Sequence, residues 1–268
     1  MSKLSLNLCL IFWLGIITAL SAQNDNEAVI RPLLLDKSTL SGDDLKPISN
    51  PNEPERQFFQ KNLYRGPKIS VYIVSSETWP GEMDNFGIDE FLYVLNGRAR
   101  ISPHHASERV FERGDYFFAH RGYTGAWETQ GDYYYELSVI TTRRADSTEQ
   151  LTGRLPEALD QTKLSGFGLT KVDSSGGAER YHDVLASGIE LSVSIEAESP
   201  QIRKIANPLP EQLVGVLAGK LTLTATDGQS QTFFAGDWFV LPQGFRGSWE
   251  SEGHRLCRTL RVYETPND

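Results

Sequence analysis

Cysteine, methionine and histidine are scarce in this chain, at 2, 2 and 5 of 268 residues. One of the two cysteines, Cys9, lies in the leader described below. Only Cys257 then remains in the mature chain, so an exported form has no internal disulfide and must rest on its core. Cys257 itself reads as a small buried residue on a strand. A positive excess is also lacking: 26 lysines and arginines face 35 aspartates and glutamates, for a formal charge of -9. A chain of that balance is a poor polyanion binder, which excludes nucleic acid as the partner. There is no phosphate-cradling glycine loop and no G-x-S-x-G. No long stretch carries helical apolar spacing.

What is present begins with MSKLSLNLCLIFWLGIITALSAQ: one lysine, an apolar run from Leu8 to Leu20, then small residues near Ala22. This is the pattern of a cleaved signal peptide over residues 1–22. The run is shorter than the roughly 20 residues a spanning helix needs, and Cys9 lacks the small residues upstream that lipid attachment requires. The expectation is a periplasmic or secreted protein with no membrane association after cleavage. Removing residues 1–22 takes away Lys3 and no acid, so 25 basic residues face 35 acidic ones and the charge moves from -9 to -10.

A shift of 122 residues lays VLNGRARISPHHASERVFERGDYFFAHRGYTGAWETQG (94–131) on VLAGKLTLTATDGQSQTFFAGDWFVLPQGFRGSWESEG (216–253) without a gap, and 12 of 38 columns are identical. Unrelated segments of average composition would share roughly two or three, so the chain contains a duplication. Each copy reads as short strands separated by glycine turns, a hairpin tip, a Gly-Asp turn and a Pro/Gly corner. With apolar alternation and no helix pattern between strands, this predicts an all-β chain of tandem duplicated jelly-roll barrels. The expected layout is an N-terminal arm over 23–64, a first barrel over 65–145, a linker with one helical turn over 146–165, and a second barrel over 166–268. The arm, polar except for Leu33 to Leu35, should lie across a barrel surface.

These repeats resemble the cupin superfamily, and the pair resembles an RmlC-like bicupin. The second cupin motif, G-(x)5-P-x-G-(x)2-H-(x)3-N, fits Gly236, Pro242 and Gly244 in one copy and Gly114 and Gly122 in the other. The first, H-x-H-(x)3-4-E-(x)6-G, fits Glu90 with Gly97, and Gln212 with Gly219. The run Gly-Phe-x-Gly-x-Trp-Glu over Gly244 to Glu250 is similar to the ethanolamine-utilisation and ureidoglycine-aminohydrolase-like cupins. Cupins host isomerases, dioxygenases, hydrolases, decarboxylases, storage proteins and sensors, so the resemblance implies a fold and not an activity.

The resemblance also implies a divalent metal (Mn, Fe, Ni, Zn or Cu) held by three histidines and a carboxylate. In the first copy those positions hold Met83 and Asn85, or Asp84 and Phe86, with Glu90 and Gly125. In the second they hold Ile205 and Asn207, or Ala206 and Pro208, with Gln212 and Gly247. The expectation is therefore no metal and no other cofactor, and ureidoglycine aminohydrolase, which would carry its metal in the second barrel, is argued against. The residual alternative is a metal on Asp84, Glu90 and His120.

Strand alternation puts Glu90, Leu92 and Val94 inside the first barrel and Phe91, Tyr93 and Leu95 on the other face. A carboxyl in such a place has a raised pKa unless a cation meets it, which suits a general acid or base; a structural carboxylate bonded to backbone or arginine is the plainer alternative. Trp127 and Trp249 lie two residues beyond the empty histidine positions and face the same way, either as core filling or as platforms for a ring. Asn85 and His120 complete the candidate ligand-binding set. His104 and His105 read as a solvated hairpin tip, and Asp115 and Asp237 as caps of their own turns. Function is thus expected to be binding of a small polar or cyclic metabolite, sugar- or ureide-like, in the first barrel. The alternative is an atypical isomerase, hydrolase or lyase that uses Glu90 as acid/base. Cupins associate through barrel edges, so a homodimer, built with the apolar arm, stays open beside a purely structural or protein-binding role.

Overall fold

The structure is a computed structural model that describes residues 29–49, 57–142, 154–172 and 177–266. The leader and residues 23–28 lie outside that range.

Two strands begin the chain, β1 (Leu33–Leu35) and β2 (Lys46–Ile48), separated by a short helical turn, α1 (Lys37–Leu40). The first barrel continues with β3 (Phe58–Arg65), β4 (Ile69–Ser76), β5 (Trp79–Met83), β6 (Glu90–Pro103), β7 (Arg109–Glu112), β8 (Tyr116–Ala119) and β9 (Gly125–Thr141). Between the barrels lie β10 (Glu157–Ala158) and α2 (Gln161–Leu164), the helical turn expected of the linker, capped by Asp160 on Thr162 and Lys163. The second barrel comprises β11 (Lys171–Val172), β12 (Arg180–Ser187), β13 (Leu191–Glu198), β14 (Gln201–Ile205), β15 (Gln212–Ala218), β16 (Lys220–Ala225), β17 (Ser230–Phe234), β18 (Trp238–Leu241), β19 (Gly247–Glu252) and β20 (Cys257–Glu264).

All pairings are antiparallel, and the two barrels repeat one another in register. Glu90 pairs with Ala119 as Gln212 pairs with Leu241, and Arg98 pairs with Glu112 as Lys220 pairs with Phe234. The repeat reaches further than the segment the sequence displays: β3, β4 and β5 match β12, β13 and β14 at the same offset of 122. Leu63/Leu185, Gly66/Gly188, Ser70/Ser192, Val71/Val193 and Ile73/Ile195 are its shared columns.

The described residues 29–49 and 57–64 accordingly do more than cross a surface. β3 is a full strand paired with β4, and β2 extends the same sheet. β1 joins the far barrel, pairing with β18, and β10 pairs with β8 at the corresponding place in the near one. Each barrel thus receives one short strand from chain outside its own repeat. The segment FFQKNLYR hides its strand character because it does not alternate apolar with polar.

Period-two alternation sorts the core. Outward residues of β4, β9, β13 and β20 (Ile69, Val71, Ile73, Leu137, Val139, Leu191, Val193, Ile195, Leu260 and Val262), with Phe91, Phe118 and Trp238, form one buried cluster between the barrels. Leu92, Val94, Ala99, Ile101, Phe111, Phe117, Tyr123 and Trp127 fill the first barrel. Val214, Val216, Leu221, Leu223, Phe233, Phe239, Phe245 and Trp249 fill the second. A reciprocal polar clasp reinforces the joint. Asp89 accepts hydrogen bonds from the Glu190 amide at 2.7 Å and from the Arg121 amide at 2.9 Å. Its counterpart Glu211 accepts from the Ile69 amide at 2.8 Å and the Lys68 amide at 3.2 Å. Each acid precedes the interior residue of its strand and so points into the neighbouring barrel.

Candidate functional site

Glu90 opens β6 inside the first barrel, with Leu92 and Val94 deeper on the same face and Phe91 turned to the joint between the barrels. β9 supplies the opposite wall through Ser138, which pairs with Leu92 and whose hydroxyl donates to Glu90 Oε1. Two residues along, Glu136 accepts a hydrogen bond from the Tyr134 hydroxyl. Burial pushes the Glu90 carboxyl up to about 7, against the smaller opposing effect of the Ser138 bond. The residue as a whole is intermediate in exposure, while its carboxyl is enclosed, which is why burial dominates its shift. Such a group can hold or release a proton near neutral pH.

The same positions in the second barrel are filled by another chemistry. Gln212 replaces Glu90 and is only 2% exposed. Arg261 occupies the place of Ser138, opposite Val214 as Ser138 is opposite Leu92. Its guanidinium meets Glu196 at 2.7 Å and lies 4.6 Å from the centre of the Trp249 ring. On the other side of that network Glu198 accepts from Trp249 Nε1 at 2.7 Å and from Gln201 Nε2 at 2.7 Å, and it pairs with Arg203 Nε at 3.1 Å. Arg203 in turn sits 5.3 Å from the Trp249 centroid. Glu196 and Glu198 are inward residues of β13, in register with Val74 and Ser76 of the first barrel. Cys257 is buried nearby, and burial, followed by Glu198, pushes its thiol up to about 11, which leaves it protonated and inert.

A family model for the EutQ-like cupin domain matches residues 68–133 and 206–258, one stretch in each barrel. The chain has a bicupin fold, with a cupin-like stretch in each barrel. A protein of unknown function from Pseudomonas syringae pv. tomato superposes with a TM-score of 0.64 at 18% identity, covering 87% of this chain and 99% of that one. A cupin 2 conserved barrel domain protein from Leptotrichia buccalis gives 0.53 at 15% identity, with coverage of 82% and 96%. A salicylate 1,2-dioxygenase variant from Pseudoaminobacter salicylatoxidans, in complex with gentisate, gives 0.59 at 12% identity, with coverage of 88% and 83%. At these identities the likeness is one of fold. No curated protein sequence matches.

The metal positions of this bicupin do not fit a metal. Met83 and Ile205 pack into the barrel cores, and Asn85 and Asn207 are exposed. Gly125 and Gly247 have φ of 149° and 145°, and a Cβ at Gly247 would lie 1.9 Å from the Thr224 carbonyl oxygen. At Gly125 it would lie 2.6 Å from the Tyr123 hydroxyl and 2.7 Å from the Ser102 carbonyl oxygen. The backbone has closed over both histidine places, so the donor set is reduced to Glu90. Among the described residues no group of three His, Cys, Asp or Glu could hold a metal ion.

The expected residues are brought together only in part. Glu90 is where alternation puts it. Trp127 packs on Phe86, Phe117 and Tyr123 at 5.7 to 6.4 Å between ring centres, as core of the first barrel. Trp249 lies in the second barrel, in the ion-pair network. His120 turns to Glu157 of β10 at 2.9 Å and to Arg154 at 3.5 Å, while Asp84 and Asn85 are exposed. Asp84, Glu90 and His120 therefore form no common site, because His120 follows the outward phase of Phe118 on β8. His104 and His105 are exposed in their turn, and Asp115 and Asp237 accept from the Glu112 and Phe234 amides at 2.7 Å. Sequence reasoning missed Glu196, Glu198, Arg203 and Arg261. A second pass at the 122-residue shift, carried back to residue 58, would have put both acids on an inward face.

Proposed function

We propose that this protein is an exported bicupin whose first barrel binds a small polar or cyclic metabolite, sugar- or ureide-like, through Glu90 and without the usual cupin metal centre. The observation that carries this is the asymmetry at one strand position. Glu90 faces a hydroxyl and partial solvent, with its carboxyl poised near neutrality, whereas Gln212 is closed off beside an arginine bonded to its own acid. A carboxyl that is protonated part of the time can both donate to and accept from a ligand hydroxyl or amide. The same poise favours a second reading, in which Glu90 moves a proton on a bound substrate as an atypical isomerase, hydrolase or lyase. Neither reading needs nucleic acid or a spanning segment; no helix among the described residues is long and apolar enough to cross a membrane.

The test is a thermal-shift and calorimetric screen of monosaccharides, ureido acids and hydantoins against the mature protein and Glu90→Gln. A ligand that binds the wild type and loses at least about tenfold in affinity in the variant is expected; equal affinity would remove Glu90 from the site. Elemental analysis of untagged protein runs alongside. Stoichiometric metal lost in Glu90→Gln would overturn the metal-free part of the reading.

A further inference from the structure

Around Trp249 the second barrel holds more positive charge than its own acids take up. Three guanidiniums, Arg180, Arg203 and Arg261, face two carboxylates, Glu196 and Glu198. Arg261 is satisfied by Glu196, and Glu198 is satisfied by Trp249, Gln201 and Arg203. Arg180 stands 3.8 Å from both acids, beyond hydrogen-bond reach of either. It and Arg203 aim their Nε groups at the same oxygen, Glu198 Oε2, and their side chains are 31% and 23% exposed, so both side chains keep contact with solvent. The counterparts of these two residues in the first barrel are Phe58 and Gly81, so the feature belongs to the second barrel alone. Burial, opposed by Glu198 and aided by Arg261 and Arg180, lowers the pKa of Arg203. An anion arriving there would relieve that repulsion.

We infer that the arginine cluster beside Trp249 in the second barrel is a separate binding site for a small carboxylate anion, held by the guanidiniums of Arg180 and Arg203. Arginine forks match a carboxylate in two-point geometry. The site is independent of Glu90 and would stand if the reading of the first barrel failed.

Calorimetry and thermal shift with oxalate and with acetate, against chloride at matched ionic strength, test it on the mature protein. Oxalate is expected to bind and to raise Tm in the wild type and in Glu90→Gln alike, and to bind at least about tenfold more weakly to Arg180→Gln. Arg203→Gln should behave likewise. If that variant fails to fold, Arg180→Gln still decides the matter, because Arg180 makes no close bond whose loss would unfold the barrel. Absence of oxalate binding, undiminished binding in Arg180→Gln, or an equal Tm rise with chloride would each overturn the site.

Discussion

The two barrels share a chain path and a strand register, yet their interiors carry different chemistry. In the first, Glu90 is met by a serine hydroxyl and keeps contact with solvent. In the second, Glu196 and Glu198 are met by arginines that also flank an indole. The comparison teaches that a polar barrel interior has an electrostatic requirement, and two solutions exist within one molecule. One meets its carboxyls with hydroxyl donors, and Glu90 there escapes its charge by binding a proton. The other keeps charges of both signs and braces the barrel with them.

The sharpest way to break the comparison is to unpair the second barrel. Arg261→Ala leaves Glu196 without its 2.7 Å partner, and a buried pair broken on one side costs about 3–5 kcal/mol. Denaturant midpoints should show this loss, whereas Ser138→Ala at the equivalent place in the first barrel should cost about 1 kcal/mol. A joint replacement of Glu196 and Arg261 by apolar residues of similar volume should recover most of the loss; recovery of none would mean that the pair is valued for more than its charge balance.

Next in size is restoration of a side chain at the empty histidine place. Gly247→Ala puts a Cβ against the Thr224 carbonyl at a φ of 145°, where the backbone itself must move. A loss of about 3 kcal/mol is expected, and Gly247→His should lose at least as much with no gain of bound metal. Gly125→Ala should cost somewhat less, because its closest backbone clash, 2.7 Å to the Ser102 carbonyl oxygen, is milder than the 1.9 Å at Gly247. Equal stability of wild type and Gly247→Ala in thermal unfolding would show that the strand can relax, and would reopen the metal question.

Much of this was legible in the sequence, for reasons that also explain the gaps. The 122-residue shift exposed the duplication between 94 and 131 because turn glycines and aromatic residues recur there, and alternation then placed Glu90 inward and Phe91 outward. The same shift continues through β3 to β5, but its few shared columns are spread among strands that differ in polarity. Glu196 and Glu198 alternate with apolar residues and so read as a solvent face, when the polar face of β13 lines the barrel. Arg261 escaped for a geometric reason. The hairpin before β20 is one residue longer than its counterpart, so Ser138 and Arg261 pair equivalently at an offset of 123 rather than 122. His120 misled because it stands one step beyond Ala119, and one step on a strand reverses the side.

The smallest expected effect is also the one that separates the barrels by pH. The folded-state pKa of Glu90 is raised from 4.5 to about 7, so the folded chain binds this proton more tightly than the unfolded chain does. Its contribution is therefore fully present below about pH 4.5 and is lost as pH rises through about 7. Glu90→Gln removes that dependence. It should be close to neutral in stability at pH 4 and should stabilise by about 1–2 kcal/mol at pH 8, less than the full shift implies because the residue is partly open to water. Glu198 in the second barrel accepts from Trp249 and pairs with Arg203, so Glu198→Gln should destabilise by breaking that pair. Unfolding free energies of Glu90→Gln and the wild type across pH 4 to 8 would show the slope that Glu90 contributes. A Glu90→Gln profile parallel to the wild type would mean that folding leaves the Glu90 pKa unshifted, and would take the poised proton, and with it the acid/base reading, away from the first barrel.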